Sequence, residues 1–120
     1  LDVMNGMMAG IIIKKDNLTR AAASRFITST DLADYLVSKY NYSFRKSHHI
    51  VGKLVIKAEN LDCDLKDLKL SEFRKIDPSI DENVYKILSI QNSVNIRTSY
   101  GGTSPSEVKK RIKEWKKKLK

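Results

Sequence analysis

Residues 29–60, STDLADYLVSKYNYSFRKSHHIVGKLVIKAEN, decide the fold. The stretch divides at YNYS, and on both sides of that break the apolar residues recur at helical spacing. In the first half Leu32, Leu36 and Val37, with Tyr40 beyond them, predict the buried stripe of a helix. Ser29 or Thr30 can supply the N-cap oxygen. Asp31 then falls in the first turn, where the helix dipole favours an anion. In the second half Ser43 can cap a helix over residues 44–60. Phe44, His48, Val51, Val55 and Ala58 share one side of it, and Leu54 widens that face.

The same spacing extends outward in both directions. LDVMNGMMAGIIIKK (1–15) reads as a helix with a wide apolar face of Val3, Met4, Met7, Met8, Ile11 and Ile12. Gly6 and Gly10 weaken it, or let a neighbouring helix come close. DNLTRAAASRF (16–26) predicts a second short helix capped by Asp16 or Asn17. Beyond residue 60 the pattern shortens into helical turns broken by Asp and by Pro78, with Asp81 as cap of a short helix through Val84, Ile87 and Leu88. Ser104-Pro105-Ser106-Glu107 is a capping box that opens a last helix. Val108, Ile112, Trp115 and Leu119 form the apolar stripe of that helix. No run alternates with period two. The expected fold is all-α, a small multi-helix domain whose second half is built of short helices.

A chain of 120 residues suffices for one domain with a modest core. Its single cysteine, Cys63, excludes an intramolecular disulfide and fits a reducing compartment, hence a cytoplasmic location. MMAGIII (7–13) is too short to span a bilayer. Lys14 and Lys15 follow it, whereas a secretory signal would place its basic residues before the apolar run. No membrane partner is expected. The first residue is Leu1, inside a helical pattern, so the chain reads as a fragment of a longer protein. Net charge is +9, of which +7 lies in KKRIKEWKKKLK (109–120). A basic tail is a weaker pointer to nucleic acid than a basic domain. Trp115 on the stripe favours a packing helix with a Lys-rich solvent face, while binding to nucleic acid or an acidic membrane stays open as the alternative.

Candidate chemistry is sparse. SVNIRTSYGGTSPSEV (93–108) brings an Arg, hydroxyls and a Gly-Gly pair to a helix start. It lacks the Lys-Ser/Thr that ends a P-loop. Gly101 and Gly102 therefore predict a turn, with an anion site assisted by Arg97 as the lesser reading. His48 and His49 are adjacent and point roughly 100° apart on a helix, so they cannot chelate one metal. Ser47 and His48 fail as a nucleophile–base pair for the same reason. His48 on the apolar face predicts a packed, hydrogen-bonded histidine; a general base is the alternative. Asp31 and Asp34 are explained by capping and surface charge rather than by paired acid–base work. Cys63 between Asp62 and Asp64 has too few soft neighbours for structural zinc and a poor setting for a thiolate. Catalytic, cofactor-binding and metal-binding residues are accordingly expected to be absent from this chain.

Two segments carry a family resemblance. TDLADYLVSKYNYSFRKSHHIVGKLV (30–55) resembles the C-terminal domain of argininosuccinate lyases, whose pattern runs Ala-Thr-Asp-Leu-Ala-Asp-Tyr-Leu-Val, Phe-Arg-x-Ala-His and Val-Gly-x-Leu-Val. SVNIRTSYGGTSP (93–105) is similar to its Ser-Val-x-x-Arg-x-Ser-x-Gly-Gly-Thr-x-Pro. Ser29 departs from the Ala of that pattern. Lys46, Ser47 and His49 replace a more acidic setting around His48, and KYNYSFR is one residue longer and lacks a Pro. The resemblance implies a parent of the fumarase/aspartase superfamily, a helical homotetramer that needs no cofactor. It implies residues 1–20 as the end of the central helical-bundle domain and 21–120 as the C-terminal helical domain. The implied reaction releases arginine from argininosuccinate and leaves fumarate, in arginine biosynthesis or the urea cycle. A base takes a proton beside a carboxylate while an acid assists the leaving nitrogen, a pairing worth roughly 10²–10⁴-fold in rate. The superfamily signature near Gly-Ser-Ser-x-Met-Pro-x-Lys-x-Asn-Pro is not in this sequence. The chain alone is therefore expected to be inactive and to pack against the central bundle near the active-site mouth. A small basic helical nucleic-acid-binding module is the alternative, and a relative kept for a structural role is a third.

Overall fold

The computed structural model describes residues 1–23 and 25–119, and every regular element among them is helical. In chain order these are α1 (Asp2–Ala9), α2 (Lys15–Ala22), α3 (Ser29–Tyr40), α4 (Phe44–Asn60), a 3₁₀ turn (Leu65–Asp67), α5 (Leu70–Ile76), α6 (Val84–Ile87), α7 (Ile90–Asn95) and α8 (Pro105–Lys118). The expected all-α class holds.

The hydrophobic core lies between α3 and α4 and is closed by the short elements that follow. Leu32 and Leu36 of α3 meet Leu54 and Ala58 of α4, and all four are inaccessible to solvent. Leu65, Phe73, Ile80 and Val84 bring the later elements into the same cluster. Phe73 sets its ring edge-on to Tyr85 at 5.9 Å, and Tyr85 donates its hydroxyl proton to the Leu68 carbonyl at 2.7 Å. The α3–α4 corner is a left-handed residue, Asn41 at φ 53°, a conformation Asn tolerates better than most residues. Ser43 then caps α4 by accepting from the Lys46 amide, as the sequence predicts.

The buried face of α4 differs from the expected one. Ser47, Ile50, Val51, Leu54 and Ala58 face the core. Phe44 and His48 are exposed, and Val55 is half-buried. A small residue at position 47 lets α4 lie close against its neighbours, and this outweighs the larger apolar area of the other side. Ser47 Oγ is sealed from solvent with no hydrogen-bond partner among the described residues. Such a hydroxyl costs its desolvation. Ser47→Ala is therefore expected to raise unfolding stability by about 1 kcal/mol, read as a higher urea midpoint with an unchanged slope.

The N-terminal expectations also need correction. α1 stops at Ala9 with Gly10 as its C-cap, and Ile11, Ile12 and Ile13 lie outside any helix. Three consecutive β-branched residues after a Gly are poor helix continuations. α2 starts at Lys15 and has no side-chain cap; Asn17 instead accepts from Arg20. α3 begins at Ser29, with Thr28 at the cap position and no side-chain cap bond. The end of the predicted 16–26 helix includes Ser24, which lies outside the described residues. Neither α1 nor α2 buries a residue. Residues 25 and 26 are instead clamped onto the corner after α4. Arg25 pairs with Asp62 at 2.8 Å, and the Phe26 amide donates to Asp64 at 3.1 Å.

A second clamp joins α3 to the loop before α6. Lys39 Nζ is paired with Asp81 and also donates to the Tyr35 hydroxyl at 2.8 Å. Asp81 accepts from the Asn83 amide at 3.1 Å, so it shapes the turn ahead of α6, whose cap position is Asn83. The Lys39 ammonium holds the Asp81 carboxyl down at about 2, and the same bond raises Lys39. A depressed carboxyl stabilises the fold above its ordinary range and loses that contribution as pH falls towards its folded value. The chain is thus expected to lose stability between pH 3.8 and about 2, and Asp81→Asn to flatten that slope in acid titrations of the melting temperature.

Candidate functional site

The polar centre of the structure is where α3, α7 and the Gly-Gly loop meet. Asp31 sits in the first turn of α3, as expected, but it is buried at 6 % exposure rather than being a surface charge. Its Oδ1 accepts from Arg97 at 2.6 Å, and its Oδ2 accepts from the Ser93 hydroxyl of α7. Asp34, three residues on, is exposed. The two carboxylates therefore do not act as a pair. A buried carboxylate is tolerable when a cation and a hydroxyl occupy its oxygens, and Arg97 and Ser93 fill those roles here.

Arg97 also organises the loop through its backbone. Its carbonyl accepts from the Ser104 amide at 3.1 Å, and the Gly102 amide donates to the Ser99 carbonyl at 2.8 Å. Gly101 stands at φ 76°, in the left-handed region. A Cβ on Gly102 would lie 2.2 Å from the Arg97 carbonyl oxygen. Both glycines are thus required by the turn, as the sequence predicts. Ser104 caps α8 by accepting from the Glu107 amide at 3.3 Å. The return half of the capping box is diverted: the Ser104 amide is already bonded to Arg97, and Glu107 accepts from the Gly101 amide at 3.4 Å. Glu107 is buried and lies 3.0 Å from Arg111, whose guanidinium stacks 4.1 Å from the centre of the Tyr100 ring. The Gly101, Gly102, Ser104 and Glu107 amides are therefore engaged from within, and the arrangement acts as an architectural turn into α8.

The other candidates are scattered. His48 and His49 are exposed, so the expected packed histidine is corrected. They line an open depression with Ser43, Arg45 and Lys46. The Phe44 and His48 rings lie 6.1 Å apart at the rim of a shallow groove between α3 and α4. Cys63 is a half-buried free thiol. Among the described residues no cluster of His, Cys, Asp and Glu could hold a metal ion, and no helix is long and apolar enough to cross a membrane. Ser93 is a structural partner that residue spacing did not single out, and Glu107, which spacing marks for the capping box, bonds the Gly101 amide and pairs with Arg111 instead. Their roles depend on which carboxylate is buried, a property of packing.

The family model for the argininosuccinate lyase C-terminal region matches residues 26–95, which begin at the Phe26 clamp and end with α7. This chain belongs to that family. Its relatives agree over nearly the whole length. An argininosuccinate lyase of Chelativorans sp. (strain BNC1) is 44% identical over 120 residues, all of this chain and 25% of the relative. That of Ehrlichia canis (strain Jake) is 46% identical over 116 residues, 97% of this chain and 25% of the relative. Argininosuccinate lyase 1 of Mesorhizobium japonicum is 42% identical over 119 residues, 99% of this chain and 26% of the relative. The chain thus spans about a quarter of the length of the curated lyases it matches. The core of the lyase-family domain, α3 to α7, falls within the matched region. α1, α2 and α8 lie outside it.

Proposed function

We propose that this chain is the C-terminal helical domain of an argininosuccinate lyase, and that the complete enzyme cleaves argininosuccinate to arginine and fumarate by acid–base elimination in arginine biosynthesis. The carrying observation is that 97–100% of this chain matches argininosuccinate lyases at 42–46% identity, over about a quarter of their length. In this reading the complete enzyme is a cytoplasmic homotetramer. Residues 1–20 end its central helical bundle, and residues 21–120 form the domain. The bare apolar surface of α1 supports that division: Val3, Met4, Met7 and Met8 are all more than 60 % exposed. A monomeric protein rarely leaves such a contiguous patch in water.

The chain by itself is inactive in this reading. Asp31 and Arg97 are consumed by each other, Glu107 by Arg111, and the exposed histidines face no carboxylate partner among the described residues. The domain's work is then to present a rigid surface to the bundle near the active-site mouth. The basic-tail reading, a nucleic-acid-binding module, gains nothing from relatives that are argininosuccinate lyases. The test is the appearance of fumarate, followed by ultraviolet absorbance after addition of argininosuccinate. The full-length gene product is expected to give a saturable rate, and purified residues 1–120 none. No rate from the folded gene product would remove the reading. A rate from residues 1–120 would remove the inactivity.

A further inference from the structure

The Val108–Ile112–Trp115–Leu119 stripe, from which the sequence predicts a packing helix, lies exposed in this chain. The four side chains are 43 %, 50 %, 59 % and 80 % exposed. α8 is anchored over its first two turns, through Ser104, Glu107 and the stack of Arg111 on Tyr100, and then leaves the core. Lys109, Lys113, Lys116 and Lys117 wall an open depression over Ile112 of about 400 Å³. Among the described residues the ion pairs of α8 fall to Lys110 and Arg111, so those four ammonium groups have no carboxylate partner.

We propose that α8 is a second docking arm, and that its occupant is an apolar groove bordered by carboxylates in the part of the lyase outside this chain. The inference rests on the domain reading above. Three observations select this occupant. The Chelativorans relative matches through α8 and extends to about four times this chain's length, so the same helix there has a large body of protein to meet. A second copy of α8 would set Lys against Lys, which like-charge repulsion opposes. A phosphate backbone would neutralise the lysines but leave the apolar stripe in water, since such binding is driven by charge. An acid-rimmed groove satisfies stripe and lysines together, in the helix-in-groove mode with anchors at i, i+4, i+7 and i+11.

The test compares one double variant in two settings. Ile112→Gln/Trp115→Gln keeps good helix formers and removes the two central apolar anchors. In the full-length gene product it is expected to lower the melting temperature by about 3 °C or more, and Lys113→Glu/Lys116→Glu is expected to do the same. In residues 1–120 alone the Gln pair is expected to shift it by less than about 1 °C, because those side chains already face water. Ile112→Met should behave as wild type in both. Equal shifts in the two settings, or none in the gene product, would overturn the docking. Equal melting of the Lys→Glu variant and wild type would overturn the carboxylate rim. The fumarate assay on the unmutated gene product separates the two claims: docking without activity would retain the arm and remove the lyase reading.

Discussion

Arg97→Ala is expected to lower the stability of this chain by about 3 kcal/mol, and to cost more than Asp31→Asn. The asymmetry follows from burial. The Arg97 side chain is 50% exposed and can return to water, whereas that of Asp31 is 5% exposed. Removing the guanidinium leaves a buried carboxylate with only the Ser93 hydroxyl on one of its oxygens. Replacing the carboxylate with an amide leaves a neutral group that still accepts hydrogen bonds, and an Arg free to reach solvent. Urea unfolding of both variants gives the comparison directly. Equal losses, or a larger loss for Asp31→Asn, would contradict the argument from the buried, unpaired carboxylate. α7 and the loop entering α8 are tied to α3 through this carboxylate, so Arg97→Ala should also speed hydrogen exchange in residues 93–107 ahead of α4.

Gly102→Ala is expected to cost roughly 2–3 kcal/mol, more than Gly101→Ala. The new methyl at 102 would meet the Arg97 carbonyl oxygen at 2.2 Å and the Ser99 carbonyl oxygen at 2.9 Å. Both are main-chain atoms that no rotamer change can move aside. The loop must open, and opening breaks the bonds from Gly102 to Ser99 and from Ser104 to Arg97. At Gly101 a methyl meets nothing within 4 Å, and its cost is the left-handed φ of 76° alone, about 1 kcal/mol. Denaturant midpoints for the two alanine variants rank the effects. The reverse order would mean that this turn is set by φ and not by close approach.

Helix existence was legible in the sequence wherever caps and spacing agreed. α4 runs from Phe44 to Asn60 behind its Ser43 cap, and α8 opens behind Ser104 and Pro105. Faces were less legible than boundaries. Hydrophobicity assigned His48 to the core, but the close-packed side of α4 is marked by Ser47, a small residue that no polarity scale would choose. Spacing makes α1 too long, because Ile11–Ile13 continue the apolar count while breaking the helix by their shape. Spacing identifies the stripe on α8, and within this chain the stripe lies exposed. Periodicity reports that a face is apolar without reporting what covers it. The Asp31–Arg97–Ser93 centre joins residues 62 and 66 positions apart, a distance over which local spacing carries no signal.

The core is self-contained and clamped from Phe26 to α7, and α1 and the end of α8 extend from it with their apolar residues exposed. Hydrogen exchange followed by mass spectrometry on residues 1–120 measures this most directly. Amides of α3 and α4, whose side chains form the core, should be the most protected. Those of α1, of Ile11–Ile13 and of the last turns of α8 should exchange faster by orders of magnitude, because no buried side chain holds them. Protection of α1 or the end of α8 equal to that of α4 would contradict the account, since those helices would then be part of the core and not arms reaching from it.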